Sequence, residues 1–222
     1  KGWNMNQEWS ELNKTMQAQI KKKDTYKAGM DTLLSLRSRL MQTLVSFKEE
    51  LCREDFHAIP FINADGYHSK TIAYSLWHIF RIEDIVVHTV IKEDEQVFFA
   101  GNYQERINSP IITTGNELMK QQIADFSRQL NLEELYAYIF EVRESTEEML
   151  KRLPYDELKR RIPEERKEYL KSLNVVNDSE KAIWLIDYWC SKDIRGLIQM
   201  PFSRHWIMHT EACLRIKNRI HS

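Results

Sequence analysis

The chain has 222 residues, 42% hydrophobic and 11% aromatic, so it can bury one sizeable core, and we expect a single domain over residues 1–222. Its 32 basic and 33 acidic residues leave a formal net charge of −1, which argues against nucleic acid or an anionic membrane as a partner. Three cysteines without a CxxC pair, no apolar run of about 18 residues and no signal-like start predict a protein of the reducing cytoplasm.

Apolar residues recur at intervals of three and four along most of the chain, and this spacing predicts an all-α protein. The first amphipathic segment lies within residues 1–22 and is interpreted as an N-terminal helical extension. Its apolar stripe consists of Trp3, Met5, Trp9, Leu12 and Met16. A longer helix follows, with apolar residues from Met30 to Leu51. The third helix is expected to begin near Ser69, a favourable N-cap, and to run to about Ile91.

The second half of the chain is predicted to contain two further long helices separated by less regular stretches. Residues 92–130 are the least regular, because they include Gly101, Pro110 and Gly115, and we expect one short helix there. Asn131, with Glu134 three residues later, resembles a capping box that begins an amphipathic helix ending near Leu153. A short helix is expected to begin at Ser179, and Pro201 is placed to open the last helix.

The last predicted helix carries two histidines, His205 and His209, four residues apart on its apolar side. This spacing sets two side chains one above the other, about 5 to 6 Å apart at Cβ, so both imidazoles can reach one metal ion. Two partly buried histidines satisfied by hydrogen bonds fit the same spacing. Trp206 stands where a zincin metalloprotease has its general-base Glu, which argues against peptide hydrolysis by that route.

A third histidine, His78, is expected at the edge of the apolar arc of the third helix. His88 is a weaker candidate, because it is expected on the polar side of that helix with Arg81 and Asp84. One histidine from one helix and HxxxH from another give three neutral nitrogen ligands with open positions, as in catalytic metal sites. We therefore predict a divalent-metal site formed by His78, His205 and His209.

These residues give the chain a resemblance to the DinB/YfiT-like superfamily, bacterial four-helix bundles with a His in the second bundle helix and HxxxH in the fourth. His78 matches the first position and the stretch RHWIMH matches the second, within a similarity in helix order from about Lys23 to Arg219. The resemblance implies a four-helix bundle to which the N-terminal helix and short helices between the third and fourth bundle helices are added. It also implies a bound nickel, zinc or iron ion. Some members resemble transferases or isomerases that act on bacillithiol or mycothiol conjugates, which implies a small-molecule substrate and a low-molecular-weight thiol as partner.

Two charged residues, Arg37 and Glu83, fall on helix faces that are otherwise apolar. Because a buried charge needs a partner and the two helices are expected to be antiparallel neighbours, we predict an ion pair between them. Helix rotation that exposes one or both to solvent is the alternative. Glu83 is also our candidate catalytic residue, either as a proton carrier beside the metal or as a hydrogen-bond acceptor for a ligand histidine. The aromatic residues Trp184, Tyr188 and Trp189 are interpreted as core and dimer packing rather than as a substrate box.

Two functions remain open on this evidence. The first is a metal-dependent enzyme that acts on a small molecule, in which the ion lowers the pKa of a bound water or thiol. The second is a non-enzymatic bundle whose metal only stabilises the fold, with a stress-response or interaction role. The N-terminal apolar stripe should pack on the bundle or on a second subunit, and a homodimer is the default expectation.

Overall fold

The predicted helical class is confirmed by a computed structural model that describes residues 5–222, with side chains from Asn6 onward. No strand is present in this part of the chain. The helices in chain order are α1 (Met5–Ile20), α2 (Tyr26–Glu50), α3 (Arg53–Phe56), α4 (Ile72–Asp84), α5 (Val97–Ala100), α6 (Tyr103–Ile107), α7 (Gln121–Gln129), α8 (Leu132–Arg152), α9 (Glu165–Ser172), α10 (Trp184–Cys190), α11 (Ile194–Gln199) and α12 (His205–Ile220). Two π-helical segments extend the long helices: Ile85–Lys92 continues α4, and Met200–Arg204 leads from α11 into α12.

The long helices α2, α4, α8 and α12 form the bundle, and α1 packs along α2. Both α2 and α4 pack against α8 and α12, so α2 and α4 face each other across the bundle and are not the side-by-side neighbours that the sequence suggested. Every residue from Thr71 to Ile91 is buried, which makes α4 and its π-helical extension the central element. A side chain on this helix is therefore shielded from bulk solvent whichever way it points.

The polar side of α4 is buried as well, contrary to the expectation that it faces solvent. Arg81 donates to the carbonyl of Ile112 at 2.7 Å, and Asp84 accepts from the hydroxyl of Tyr138 at 2.6 Å. His88 is bonded to Asp94 and Ser145. Residues 92–130 contain three short helices, α5 to α7, rather than one. Of these, α5 and α7 pack on α4 together with α8, and α6 packs on α8. Local spacing could not reveal this, because the polar groups are satisfied by residues distant in sequence.

Three predicted helix starts have mixed outcomes. The N-cap of α4 is Thr71 rather than Ser69, because the Thr71 hydroxyl accepts from the backbone N–H of Tyr74 at 2.9 Å. The Ser69 hydroxyl instead donates to the carbonyl of Gly66 within the preceding turn. Asn131 caps α8 as predicted, with its side-chain oxygen accepting from the N–H of Glu134 at 3.2 Å. The segment after Ser179 is a turn, and α10 begins only at Trp184.

The N-terminal stripe packs on its own bundle where the structure describes it. Trp9 and Met16 are almost fully enclosed, at 1% and 0% exposure, and Leu12 packs beside them. Trp3 lies outside the described residues, as does the side chain of Met5. Apolar contact within one chain therefore accounts for the described part of the stripe, and the homodimer stays a prediction.

Within residues 5–222, no helix combines the length and the hydropathy needed to cross a membrane. Cys52, Cys190 and Cys213 are all free thiols, as their spacing predicts.

Candidate metal centre

The three predicted histidines meet at one point of the bundle. His78 comes from the middle of α4, and His205 and His209 come from the first turns of α12. Their ring centroids are 4.5 to 4.9 Å apart, and one nitrogen from each ring lies within 4.8 Å of the others. Two nitrogens that bind one tetrahedral ion at about 2.0–2.1 Å lie roughly 3.3 Å apart, so the three rings need to approach one another by about 1.5 Å at most to share an ion. Among residues 5–222, no other group of three His, Cys, Asp or Glu side chains is arranged to hold a metal ion.

His78 is oriented by the irregular segment that precedes α7. Its Nδ1 lies 2.8 Å from the carbonyl oxygen of Thr114. A carbonyl only accepts, so Nδ1 carries the proton and Nε2 keeps the lone pair that binds metals. The His78 ring also stacks on Tyr74, with centroids 5.4 Å apart and planes 13° apart, and the Tyr74 hydroxyl donates to the carbonyl of Gly115 at 3.0 Å. Residues 114 and 115 thus fix both the tautomer and the plane of this ring.

The two histidines of α12 have unsatisfied nitrogens. Nδ1 of His205 and Nδ1 of His209 are buried and have no hydrogen-bond partner among the described residues. Most buried polar side-chain atoms in proteins are paired, so an unpaired imidazole nitrogen needs an explanation. The alternative for HxxxH, two histidines satisfied by protein hydrogen bonds, is not met at these atoms. A donor set of three imidazoles suits zinc, nickel or iron.

Electrostatics keep the three rings neutral. Burial lowers the pKa of His78 from 6.5 to about 4. Burial also lowers the pKa of His205 and of His209 well below 6.5, and repulsion between the clustered histidines adds to both shifts. Neutral imidazole is the form that binds metals, so an ion would displace few protons from these ligands at neutral pH.

Glu83 lies in the bundle core, where it forms the predicted ion pair with Arg37. The guanidinium donates to both carboxylate oxygens, at 2.7 and 2.9 Å, and neither side chain is exposed. Trp206 Nε1 and the Thr146 hydroxyl each donate to the same carboxylate at 2.9 Å. Glu83 has no hydrogen bond to the three histidines and does not line the adjoining cavity. Its position supports a structural role and adds nothing to the predicted catalytic one.

A cavity of about 770 Å³ adjoins the histidines, and all three line it. Its volume is in the range of small-molecule sites. The aromatic residues that line it are Tyr67, Tyr74, Trp184, Tyr188 and Trp189. Three of these were interpreted from sequence as core and dimer packing. Trp189 is buried in the core as predicted, with Tyr188 packed against that core, but all three also form a wall of the cavity, where Trp184 is 49% exposed. Aromatic spacing on a short helix does not distinguish a packed face from a cavity wall, so sequence reasoning missed this role.

Other lining residues also escaped the sequence analysis. Lys70 precedes α4, Asn116 follows the turn that holds His78, and Lys181 precedes α10. None belongs to a recognisable motif. Their place beside the histidines follows from how distant loops meet at one end of the bundle.

Comparison with known proteins adds support for the fold alone. The chain matches no protein-family model and no curated protein. It is similar to a solved structure described as the crystal structure of the conserved protein of locus from Enterococcus faecalis. The TM-score is 0.53 at 13% sequence identity, and the match covers 85% of this chain and 92% of that one. At this identity the likeness concerns the helical architecture and not the chemistry.

Proposed function

We propose that the protein binds one divalent ion, nickel, zinc or iron, through His78, His205 and His209, and uses it as a DinB/YfiT-like enzyme acting on a small molecule. The observation that carries the proposal is the position of three buried, neutral imidazoles on the wall of a cavity large enough for a substrate. A metal that serves only to stabilise the fold needs no such cavity. The non-enzymatic alternative leaves this feature unexplained.

The chain's own residues have separable tasks in this proposal. The Thr114 carbonyl holds His78 in the ligand tautomer, and Trp184 with Tyr188 offers an aromatic surface for the substrate body. The buried ring of Trp189 adds to the apolar part of this wall. When bound, the ion would act as a Lewis acid and lower the pKa of a thiol or water molecule bound to it.

We further propose that the reaction is a thiol S-transfer of the bacillithiol type. None of Cys52, Cys190 and Cys213 lines the cavity, and burial raises the pKa of Cys190 to about 11 and of Cys213 to about 12. The chain therefore offers no reactive thiolate of its own at the site. A nucleophilic thiol would enter as a small co-substrate and pass its proton to water beside the histidines. Its sulfur would then form a bond to an electrophilic carbon of the second substrate, whose leaving group departs with the bonding electron pair.

Metal stoichiometry tests the site. Purified without a nickel column, loaded with excess zinc or nickel and then desalted, the wild type should retain about one ion per chain. Each of His78→Ala, His205→Ala and His209→Ala should retain far less, because two imidazoles compete poorly with water and buffer. His221→Ala is the matched control, since this histidine is exposed and outside the cluster. Equal metal content in the wild type and in correctly folded variants, checked by circular dichroism, would refute the site.

Cobalt separates the enzymatic from the structural role. Protein loaded with cobalt(II) should develop a thiolate-to-metal charge-transfer band when 2-mercaptoethanol is added, because three ligands leave a position open. A spectrum that does not respond to the thiol would indicate a closed site and would favour a metal that only stabilises the fold.

A further inference from the structure

The cavity next to the histidines concentrates positive charge in a chain of nearly zero net charge. Lys70, Lys120 and Lys181 line it, whereas Asp65 is the one carboxylate among its lining residues. In residues 5–222 none of these three lysines forms an ion pair. Unpaired cations that face a cavity favour the entry of anions.

Lys70 connects this charge to the histidines. Its Nζ lies 5.3 Å from the centre of the Tyr74 ring, and that ring stacks on His78 at 5.4 Å. The ammonium group, the tyrosine ring and the imidazole therefore follow one another along the cavity wall. The cation–π contact offsets part of the burial of Lys70 but supplies no negative charge.

Lys181 lines the same cavity as Lys70 but comes from a distant segment of the chain. Partial burial of Lys70, and then repulsion by Lys181, lower the pKa of Lys70. Lys181 is held in the turn before α10, where its carbonyl accepts from the indole N–H of Trp184 at 3.0 Å, and its ammonium group contacts Met119. Two like charges that line one cavity, neither of them paired with a carboxylate, repel each other until an anion binds beside them.

We propose that Lys70 and Lys181 form an anion-binding subsite, so that the ligand of this cavity is a small organic anion whose other end reaches the three histidines. Trp184 and Tyr188, with ring centroids 5.4 Å apart, form the wall beside this subsite and suit an aromatic or apolar body between the two ends. Lysine ammonium groups act as point charges without the fork of arginine, so the subsite accepts a carboxylate or a phosphate-type group. That the other end of this ligand is a metal-binding thiol rests on the proposed function, whereas anion binding by Lys70 and Lys181 needs no metal.

Matched probes test the subsite. The probes are 4-(mercaptomethyl)phenylacetate, its neutral amide, and 4-(mercaptomethyl)benzylphosphonate, each titrated against metal-free and zinc-loaded protein by calorimetry and by quenching of tryptophan fluorescence. The carboxylate should bind about 10-fold to 100-fold tighter than the amide, and added salt should reduce the difference. The phosphonate arm identifies the preferred anion: tighter binding than the carboxylate assigns a phosphate-type ligand, and weaker binding assigns a carboxylate.

Variants assign the preference to the two lysines. In Lys70→Met/Lys181→Met the acid should bind only as well as the amide, while Lys151→Met, which removes an exposed lysine from α8, should keep the wild-type preference. Equal binding of acid and amide by the wild type, no binding of any probe at millimolar concentration, or an unchanged preference in the folded double variant would overturn the proposal. The preference in metal-free protein separates the two ideas. If the preference for the acid persists while zinc fails to bind, the proposed metal function is wrong and the anion subsite stands. If zinc binds but the preference is missing, the anion subsite is wrong and the metal function stands.

Discussion

Replacing Glu83 by glutamine should destabilise the bundle strongly, because every group that contacts this carboxylate is a donor. Arg37 donates twice, and Thr146 and Trp206 donate once each. The glutamine side chain keeps one acceptor oxygen but turns an NH₂ group toward donors. Arg37, fully buried, would keep the Phe202 carbonyl at 2.9 Å, Glu147 at 3.4 Å and at most the one glutamine oxygen.

The expected loss follows from breaking a buried pair on one side. Removing one partner of a buried ion pair typically costs about 3 to 5 kcal/mol, since the remaining buried charge loses its main compensation; Arg37 would keep only Glu147 as a carboxylate partner. For a chain of this length each kcal/mol lowers the Tm by roughly 2 to 4 °C, so the Tm of Glu83→Gln should fall by about 6 to 20 °C. Arg37→Met should show a loss of similar size. Arg37→Met/Glu83→Leu should recover much of it, because two apolar side chains leave no buried charge.

Thermal melting by circular dichroism, with urea unfolding as a second measure, provides the assay. Glu148→Gln is the control, because its ion pair with Arg152 lies at the surface and should leave the Tm unchanged. A Tm for Glu83→Gln within about 2 °C of the wild type would refute the reasoning. A double variant as unstable as the sum of the single ones would refute it too, since coupling between the two charges is its premise.

Three further predictions concern the site and the N-terminal helix. The metal-free protein should lose stability as the pH falls from about 6.5 to about 4. Burial lowers the pKa of His78 to about 4, so in this range the unfolded state binds a proton that the folded state does not. The loss from this group alone should be about 3 kcal/mol, and His78→Gln should therefore flatten the pH dependence of the Tm. Gly115→Ala should weaken zinc binding, measured by chelator competition. Gly115 has φ +82°, and an added Cβ would come 2.9 Å from the Tyr74 ring that stacks on His78. An unchanged affinity would show that this turn does not position the ligand. Trp9→Ala should lower the free energy of unfolding by about 3 to 5 kcal/mol, because the ring is almost fully buried. Trp184→Ala removes a half-exposed ring and should change the urea midpoint far less. Equal losses would contradict the burial of α1 on its own bundle.

Sedimentation of the full chain and of a version lacking residues 1–22 tests the predicted homodimer. The described stripe of α1 is already covered within one chain, so any dimer would use another surface or residues before Asn6. A monomer in both forms would remove the dimer from consideration.

The sequence by itself determined those features that depend on local spacing. Apolar residues at intervals of three and four specify helices wherever they fall in the chain, and two histidines four residues apart must share a helix face. The Arg37–Glu83 pair was also predictable, since a charge on an apolar face has few alternatives to a partner of opposite sign. What these residues leave undetermined is how the helices dock, and α2 and α4 prove to lie across the bundle from each other.

Tertiary structure decided which local features form a site. His88 has the same chemistry as His78 and lies on the same continuous helix, yet its ring nitrogens are bonded to Asp94 and Ser145, whereas the Nε2 of His78 stays free for a ligand. The turn at Thr114 that produces this difference is 36 residues away in sequence. Lys70 and Lys181 likewise carry no signal in the chain, and only the packing of distant loops brings them to one cavity. The physical reason is that helical periodicity is set by neighbouring residues, whereas the partner of a buried nitrogen or ammonium group is set by whichever segment fills the adjacent space.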